Sequence, residues 1–406
     1  MNILEIGKDC VGCGSCEHSC SHKAITLRPD MEGFYYPIID NTLCVDCSLC
    51  YKSCPQVFHT QELGHQRNIV QFPYNVISRL KRYYKKSASG AVFVTIAHKF
   101  LQKYKNAVVC GAAYSEGRIH HILVDKIGDL YKLQGSKYVQ SQLDDVYPRI
   151  KRHLKSNQPV LFSGTPCQVA GLYAYLHNRN IENLYTMDII CHGVPSPKFF
   201  NKDLGLYAAN NSEISSVQFR KKHPLFKSRS LYFLTIVKKH KPCVSMCFRK
   251  SSLNLKLDPY FSLFSKGWTL RRSCYQCHYS NLQRVGDITI GDCDSHVNYP
   301  SFHPHEATSV VIINTVAGIN LWERTSQYFD FINLDIQKEA EVNVPLRESF
   351  KCPPERETIY EEINRLPIQE IKKRYAQKKT MRTVISAFLI DYCPPIIINK
   401  FVKLIR

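Results

Sequence analysis

The sequence of 406 residues predicts a mixed α/β protein: a small cysteine-rich module, then a larger α/β domain with a more antiparallel extension and a basic, helical C-terminal region. Eight cysteines fall in the first 60 residues. From Ser87 onward, helix-like and strand-like segments alternate, which is typical of α/β domains. Beyond Pro195 the strands become short, as in antiparallel sheets. We therefore expect a module at 1–60, a linker at 61–86, two parts of the α/β domain at 87–200 and 201–345, and the basic helical region at 346–406.

Hydrophobic period and turn residues place the elements of the larger domain. Ser87 or Ser89 can cap a helix whose apolar positions from Val92 to Leu101 recur at helical spacing. Apolar runs predict strands at 107–113, 119–124, 159–162, 184–190, 287–292 and 309–313, with helices at 143–155, 167–177 and 319–329. The antiparallel extension is predicted from short strands at 217–220, 232–237 and 243–248.

The C-terminal region combines apolar and basic side chains from Met381 to Arg406. Pro394 and Pro395 interrupt it, so it cannot form the continuous amphipathic helix that anchors a protein in a membrane interface. Two short helices that pack on the body are the favoured interpretation. Peripheral membrane contact is the less favoured one.

Composition narrows the function classes. With 44% hydrophobic residues the chain can bury more than one core, and no apolar stretch reaches the roughly 18–20 residues of a membrane span. Glu5, Lys8 and Asp9 stand where a signal peptide has its apolar region, so we expect a soluble, cytoplasmic protein. The formal net charge is +20, which favours an acidic partner protein, a phosphate-rich cofactor, nucleic acid or anionic lipid. The 18 cysteines favour metal ligation in a reducing compartment.

Two cysteine runs carry the strongest chemical signal. Each has the spacing C-x2-C-x2-C-x3-C, first in Cys10, Cys13, Cys16 and Cys20, then in Cys44, Cys47, Cys50 and Cys54. Thiolates at this spacing hold three corners of a 4Fe-4S cluster, and in two-cluster ferredoxins the fourth cysteine ligates the other cluster. We therefore assign Cys10, Cys13, Cys16 and Cys54 to one cluster, and Cys44, Cys47, Cys50 and Cys20 to the second. A pair of zinc knuckles is the alternative.

Four further cysteines are dispersed in the larger domain. Cys167 lies where a predicted strand turns into a helix, Cys191 ends the next strand, and Cys274 and Cys277 form a C-x2-C pair on a later loop. Parallel strands bring their carboxyl ends to one edge of the sheet, so these thiolates can converge on a third cluster. The alternative is that they are small buried apolar residues, or that the pair holds zinc. His192 is interpreted as a loop histidine rather than a ligand.

Several motifs occur together with these cysteines in one known family. They are residues 135–141 (GSKYVQS), 162–168 (FSGTPCQ), 191–197 (CHGVPSP) and 286–292 (GDITIGD). With them, the sequence from about residue 5 to 315 resembles the coenzyme F-420 hydrogenase/dehydrogenase beta-subunit family, with an N-terminal two-cluster, bacterial-type ferredoxin domain.

The resemblance implies an iron–sulfur flavoprotein with FAD in the α/β domain. It makes Cys167, Cys191, Cys274 and Cys277 the ligands of a third 4Fe-4S cluster. It also implies that the flavin is lined by Gly135, Ser136, Lys137, Tyr138, Ser163, Gly164 and Thr165. Ser87, Ser89 and Gly90 resemble the family's small-residue turn, whose amides would meet a phosphate.

Lys137 is the candidate catalytic residue. As a cation near the pyrimidine end of the flavin it would favour the reduced form, which tends toward an anion. The alternative is a solvated surface lysine. Cys293 is a departure from the family, which commonly has aromatic residues after the glycine and aspartate at 291–292, and it is either an alternative ligand or an unligated neighbour.

The predicted function is an oxidoreductase that passes electrons between a ferredoxin-type donor or acceptor and a hydride-exchanging small-molecule substrate, through the clusters and FAD. The expected partners are an acidic electron carrier such as ferredoxin or a partner oxidoreductase subunit. The alternative is a non-catalytic electron-transfer subunit of a larger complex, and the long basic tail points weakly to a surface-polysaccharide pathway. Nucleic acid is not expected as a partner because the sequence has no RNA-binding signature.

Overall fold

A computed structural model describes residues 1–57, 70–179, 181–208, 214–222, 230–238, 258–295 and 298–376, together with 380, 381 and 385. The predicted strand 243–248 and most of the C-terminal region beyond 376, including the two prolines, lie outside the described residues. The side chains of the strand 230–238 are likewise not described.

The N-terminal module is built on a β-hairpin. A 3-10 helix (Ile3–Asp9) is followed by helix α1 (Ser15–Ser19), strands β1 (Ile25–Pro29) and β2 (Tyr35–Ile39), and helix α2 (Leu49–Lys52). β1 and β2 pair antiparallel, as the alternating apolar residues around Gly33 predict. Ile3 and Ile25 pack with three of the cysteines in a small buried cluster, so the module's core and its candidate ligands are largely the same residues.

The larger domain is organised around one eight-stranded mixed sheet in the order β12-β3-β11-β10-β7-β6-β4-β5. Its strands are β3 (Phe72–Ser78), β4 (Val108–Ser115), β5 (Arg118–Val124), β6 (Val160–Gly164), β7 (Leu184–Ile189), β10 (Ile288–Asp292), β11 (Ser309–Ile313) and β12 (Phe329–Asn333). The four central strands, β10, β7, β6 and β4, run parallel, and the outer strands on both sides pair antiparallel. The carboxyl ends of the four parallel strands therefore share one edge.

Helices cover both faces of this sheet. One face packs on α4 (Val92–Lys103) and α9 (Val316–Glu323), and the other on α5 (Val146–Lys155) and α6 (Pro166–Leu176). Along β4 the side chains alternate between the two cores: Val109 joins the first, while Val108 and Cys110 join the second. The parallel part of the sheet is thus buried on both sides, as parallel sheets usually are.

A second group of elements lies beside the sheet. It contains the hairpin β8 (Ile214–Lys222) and β9 (Ser230–Lys238) and helices α7 (Pro197–Leu204), α8 (Pro259–Ser265), α11 (Arg356–Arg365) and α12 (Ile368–Tyr375). The short helices α3 (Lys81–Tyr84) and α10 (Ile336–Val342) and four further 3-10 turns complete the described elements: Ile127–Lys132, Arg272–Gln276, Ser326–Tyr328 and Val344–Leu346.

The N-terminal module contacts this second group of elements. Phe34, from the tip of the β1–β2 hairpin, is fully buried in the core that α7, α8, α11 and α12 form. Burial of a phenylalanine side chain contributes roughly 1.5–3 kcal/mol, so the N-terminal module is held against the larger domain.

The predicted fold class is confirmed, with two corrections to individual elements. The segment interpreted as a linker contributes β3, which pairs with both β11 and β12, so 72–78 is part of the sheet. The helix predicted at 319–329 ends at Glu323, because Phe329 begins β12 and its side chain is buried against the sheet. The domain boundaries stay predictions.

Candidate iron–sulfur and cofactor site

The first candidate cluster site lies in the N-terminal module. Cys13, Cys16 and Cys54 are buried. Burial raises the pKa of the Cys13 thiol well above its usual range, and the nearby thiols of Cys54, Cys10 and Cys167 raise it further. Cys16 has the thiols of Cys13, Cys10 and Cys54 for neighbours. The structure therefore brings together the four cysteines that the spacing assigns to one cluster, including the crossed ligand Cys54.

The second candidate cluster site lies at the outer end of the module. Cys20, Cys44, Cys47 and Cys50 line one small pocket. Cys50 is buried whereas Cys47 is exposed, and the backbone N–H of Ala24 donates to the Cys20 sulfur at 3.3 Å. Among the twelve candidate ligands, Cys47 of this site is the exposed one.

The third group forms at the carboxyl edge of the parallel strands. Cys167 follows β6 at the start of α6, and Cys191 comes two residues after β7. Burial raises the pKa of the Cys191 thiol well above its usual range, and Cys274, Cys167 and Cys277 raise it further. Burial also raises the pKa of Cys167 to about 11 and of Cys274 to about 12. All four thiols are therefore mutual neighbours in a buried place.

Local sequence explains how Cys167 is held. Thr165 caps α6, Pro166 occupies the first helical position, and the Gln168 side chain completes a capping box by accepting the Thr165 N–H at 3.0 Å. The hydroxyl of Thr165 lies 3.1 Å from the Cys167 sulfur. Cys167 is thereby fixed in the first turn of a helix, where the N–H dipoles favour an anionic thiolate.

The loops that carry the other cysteines are tied to each other. The N–H of Arg271 donates to the Val194 carbonyl at 2.9 Å, and the N–H of Cys274 donates to the Arg271 carbonyl at 2.9 Å. Gly193, which has a φ of +96°, donates its N–H to the Cys191 sulfur at 3.4 Å. These bonds place the C-x2-C turn against the Cys191 loop.

The donor chemistry of these groups fits iron–sulfur clusters. Within the described parts of the chain, no three His, Cys, Asp or Glu side chains are arranged to hold a single metal ion. Each cysteine of a 4Fe-4S site binds a different iron, so its four thiolates surround a larger object than one ion. A set of four soft thiolates binds such a cluster in preference to a hard metal ion.

A cavity of about 700 Å³ lies beside the third group of cysteines, within the 300–1,000 Å³ of typical ligand sites. Cys167, Cys191, Cys274 and Cys277 line it. So do the predicted flavin residues Ser87, Ser89, Gly135, Ser136, Lys137, Tyr138, Ser163, Gly164 and Thr165. Gly90 does not line it, and its N–H donates at 2.9 Å to the hydroxyl of Ser309, which does. The size, and a mostly apolar lining with a few polar side chains, are those of a ligand or cofactor site.

Lys137 reaches this cavity from the segment before Tyr138. Its Nζ donates to the backbone carbonyls of Gln134 at 3.1 Å and Lys132 at 3.3 Å. Burial lowers the pKa of Lys137 to about 7. Lys137 is therefore a cavity residue that can lose its charge near neutral pH, and the alternative of a solvated surface lysine is not supported.

Three further cavity residues were not identified from the sequence. His121 is buried, its Nε2 donates to the Ser163 carbonyl at 3.0 Å, and burial lowers its pKa to about 4, so the ring is neutral. Arg220 on β8 pairs with Asp292 and lies 3.3 Å from the Tyr138 hydroxyl. Arg271 is 1% exposed. For Arg271, the signal available in the sequence was its position three residues before Cys274.

His192 and Cys293 behave differently from the four cysteines. His192 lines the cavity, where burial lowers its pKa, and its ring lies 6.3 Å from that of Phe350. Cys293 packs in an apolar cluster with Ile190 and Val310, and its thiol lies 3.8 Å from Glu339 Oε2. It does not line the cavity, which favours an unligated neighbour over an alternative ligand.

The fold and these sites define a mixed α/β protein with an N-terminal iron–sulfur module. Residues 157–336 match the family described as the C terminus of the coenzyme F420 hydrogenase/dehydrogenase beta subunit, and residues 9–57 match the 4Fe-4S dicluster domain. Residues 157–336 of the chain are therefore similar to the C-terminal region of this beta-subunit family, and a 4Fe-4S dicluster domain precedes them. The chain thus combines an iron–sulfur domain with a region related to hydrogenase and dehydrogenase subunits.

Individual relatives are more distant. The ferredoxin-type protein NapF of Escherichia coli (strain K12) is 40% identical over 55 residues, which are 14% of this chain, and NapF of Escherichia coli O157:H7 has the same values. The chain spans 34% of the length of these curated relatives. A chain from the F420-reducing NiFe hydrogenase complex of Methanosarcina barkeri is 14% identical, with a TM-score of 0.43, over 71% of this chain and 97% of that one.

No helix in the described ranges is both long and apolar enough to cross a membrane.

Proposed function

We propose that this protein is an iron–sulfur flavoprotein oxidoreductase. It passes electrons between a ferredoxin-type donor or acceptor and a hydride-exchanging small-molecule substrate, through three 4Fe-4S clusters and FAD. The observation that carries the proposal is the continuity of the sites. The first cysteine group adjoins the third through Cys13 and Cys167, and the third lines the cavity.

In this proposal the cysteines of each group act as thiolate ligands. Burial raises the pKa of the thiols of Cys13, Cys16, Cys54, Cys167, Cys191 and Cys274, so their ligation releases protons and is favoured as pH rises. The N–H groups that point at Cys20 and Cys191 would then stabilise negative charge on sulfur.

The cavity would hold FAD, which when bound exchanges two electrons as hydride and single electrons with clusters. The lining serine and glycine residues leave room for close approach of the backbone. Lys222, whose Nζ donates to the carbonyls of Ser87 at 2.9 Å and Ser89 at 2.5 Å, fixes the turn at one end of the cavity. Lys137 would place its ammonium beside the isoalloxazine ring and hold or release a proton there near neutral pH.

The second cysteine group is the proposed contact with an electron carrier, because Cys47 is exposed. The net charge of +20 favours an acidic carrier such as ferredoxin. The family name describes a beta subunit, which favours a partner oxidoreductase subunit as the second candidate. Turnover by the isolated chain with a reduced low-potential donor supports the enzyme, and its absence over a broad panel of acceptors supports the electron-transfer subunit.

The decisive experiment is anaerobic reconstitution of the chain followed by metal and flavin analysis. Three clusters require about twelve irons per chain, and the proposal also requires bound FAD. A preparation with about eight irons and no flavin would overturn the proposal while leaving the dicluster domain intact.

A cysteine variant assigns the third cluster. Cys167→Ala should lower the iron content by about four per chain and leave the two ferredoxin-like EPR signals, because each cluster needs its full ligand set. Cys110→Ala is the matched control: Cys110 is a buried thiol on β4 in the apolar core. An unchanged iron content in Cys167→Ala contradicts the assignment.

A further inference from the structure

Arg271 lies between the first and third cysteine groups. Its Nε donates to the carbonyl of Cys10 at 2.7 Å, and its Nη2 donates to the carbonyl of Tyr35 at 2.8 Å. Its Nη1 donates to Gln140 Oε1 at 3.1 Å. From the other side, its backbone holds the turn that carries Cys274. One buried side chain thus joins the N-terminal module to the loop of the third group.

Among the described residues, no carboxylate pairs with the charge of Arg271. Among the ion pairs of the described residues none includes Arg271, and its hydrogen-bond acceptors are two carbonyls and an amide. The other arginines buried to a similar degree are paired: Arg356 with Glu32 at 2.5 Å and Arg284 with Asp188 at 3.3 Å. A buried charge without a counter-charge is costly, so a compensating anion is expected near Arg271.

The sites that surround Arg271 would supply such an anion. On one side, Arg271 lines the same cavity as Cys167, Cys191, Cys274 and Cys277, the cysteines of the third group. On the other side, Arg271 bonds directly to the backbone of Cys10, a predicted ligand of the first cluster. A 4Fe-4S cluster with four thiolates carries net negative charge, which a nearby cation stabilises.

We propose that Arg271 is a positioning residue that acts as the shared counter-charge of two clusters, those of Cys10/Cys13/Cys16/Cys54 and Cys167/Cys191/Cys274/Cys277. The inference rests on the proposed function, because it needs both clusters. A reduced cluster is more negative than an oxidised one, so the guanidinium favours reduction at both sites and raises both midpoint potentials. The site of Cys20, Cys44, Cys47 and Cys50 does not share this contact.

A solely structural Arg271 would also tie the module to the domain, so the test must measure potentials. Arg271→Gln removes the charge, and Arg271→Lys keeps it on a shorter side chain. Arg272→Gln is the matched control, since it removes the same charge one residue away, where Glu32 and Glu357 compensate it. Each variant is reconstituted anaerobically and titrated redox-potentiometrically with EPR detection of the three signals.

In Arg271→Gln we expect the potentials of two signals to shift to more negative values, while the third signal stays unchanged. Arg271→Lys should retain most of the wild-type potentials, and Arg272→Gln should match wild type. Three signals with unshifted potentials in Arg271→Gln overturn this inference and leave the proposed function standing. A wild-type protein that lacks the third signal overturns the proposed function instead.

A second variant keeps the test decisive when Arg271→Gln does not fold. Gln140→Glu places a carboxylate of nearly the same shape at the atom that accepts from Arg271 Nη1. It compensates the charge without removing the arginine, so the same two signals should shift to more negative potentials. Unshifted potentials in Gln140→Glu, with three signals present, also overturn the inference.

Discussion

At the scale of single residues, two lysines five positions apart have opposite surroundings. Lys137 lines the cavity, donates to backbone carbonyls, and has a pKa lowered by burial to about 7. Lys132 is solvated and pairs with Asp129 at 2.7 Å, whose hydrogen bond raises the pKa of Lys132. Desolvation disfavours the charged ammonium form, whereas a nearby carboxylate stabilises it. At pH 8, therefore, Lys137 is mostly neutral and Lys132 is positively charged.

This difference is measurable by amine labelling of the flavin-free protein at pH 8. Lys137 should react several-fold faster than Lys132, because an amine with a pKa of about 7 is mostly neutral and nucleophilic at that pH. Below pH 6 the absolute labelling rate of Lys137 should fall about tenfold per pH unit as it takes up its proton, while Lys137 stays ahead of Lys132. Peptide mass spectrometry reports both sites in one sample, and equal rates at pH 8 contradict the assigned environment. Added FAD should protect Lys137 alone.

At the scale of elements, the tip of the β1–β2 hairpin is the part of the N-terminal module that enters the larger domain. Arg356 of α11 is fully buried and pairs with Glu32 at 2.5 Å. Lys198 donates its Nζ to the Met31 carbonyl at 2.9 Å. Gly33 has a φ of +88°, and a Cβ there would lie 2.2 Å from the Cβ of Lys198, so only glycine fits. These contacts hold the hairpin in a single register.

Arg356→Ala should therefore destabilise the protein by about 3 kcal/mol, the low end for breaking a buried pair, because the largely buried Glu32 loses its partner at 2.5 Å and keeps only Arg272 at 3.4 Å. Arg347→Ala is the control, since Arg347 pairs with Glu348 at a site where both side chains are about half exposed. Such surface pairs contribute under about 1 kcal/mol. Chemical unfolding monitored by tryptophan fluorescence compares the two variants. A loss in Arg356→Ala no larger than in Arg347→Ala would show that the hairpin docks without this pair.

Most central elements could be predicted from the sequence because their signals are local. Thr165, Pro166 and Gln168 mark the start of α6, and the apolar run of β11 marks a buried strand. β3 and β12 were missed, since they pair with each other and their stability depends on partners about 250 residues apart in sequence. β3 and β12 were thus recognisable only from the tertiary structure.

At the scale of the whole molecule, some parts of the candidate site follow from local sequence signals and others depend on contacts between distant segments. The spacing within each cysteine run predicts the ligand sets of the module, because three of the four ligands are close in sequence. The approach of Cys13 to Cys167 joins residues 154 positions apart, and nothing in either run predicts it. Arg271 was missed for this reason, since its role depends on two segments that meet only in the folded chain.

The contact that joins the module to the domain depends on a glycine in the middle of α6. A Cβ on Gly171 would lie 2.8 Å from the Cβ of Cys13, 2.9 Å from its sulfur and 2.8 Å from the Tyr147 hydroxyl. Glycine normally weakens a helix by roughly 0.5–1 kcal/mol relative to alanine. Its presence here is explained by the close approach of the first cysteine group.

Gly171→Ala should consequently destabilise the protein, although alanine is the better helix former. Overpacking costs about 1–3 kcal/mol, which exceeds the gain in helix propensity. Gly128→Ala is the control, because a Cβ at Gly128 meets nothing within 4 Å and should change stability by no more than about 0.5 kcal/mol. Thermal unfolding of both variants measures the difference.

In the reduced, cluster-loaded protein, Gly171→Ala should also weaken the magnetic coupling between the first and third clusters, since the added methyl group pushes Cys13 away from α6. Unchanged stability and coupling in Gly171→Ala would mean that the two sites do not meet across this helix.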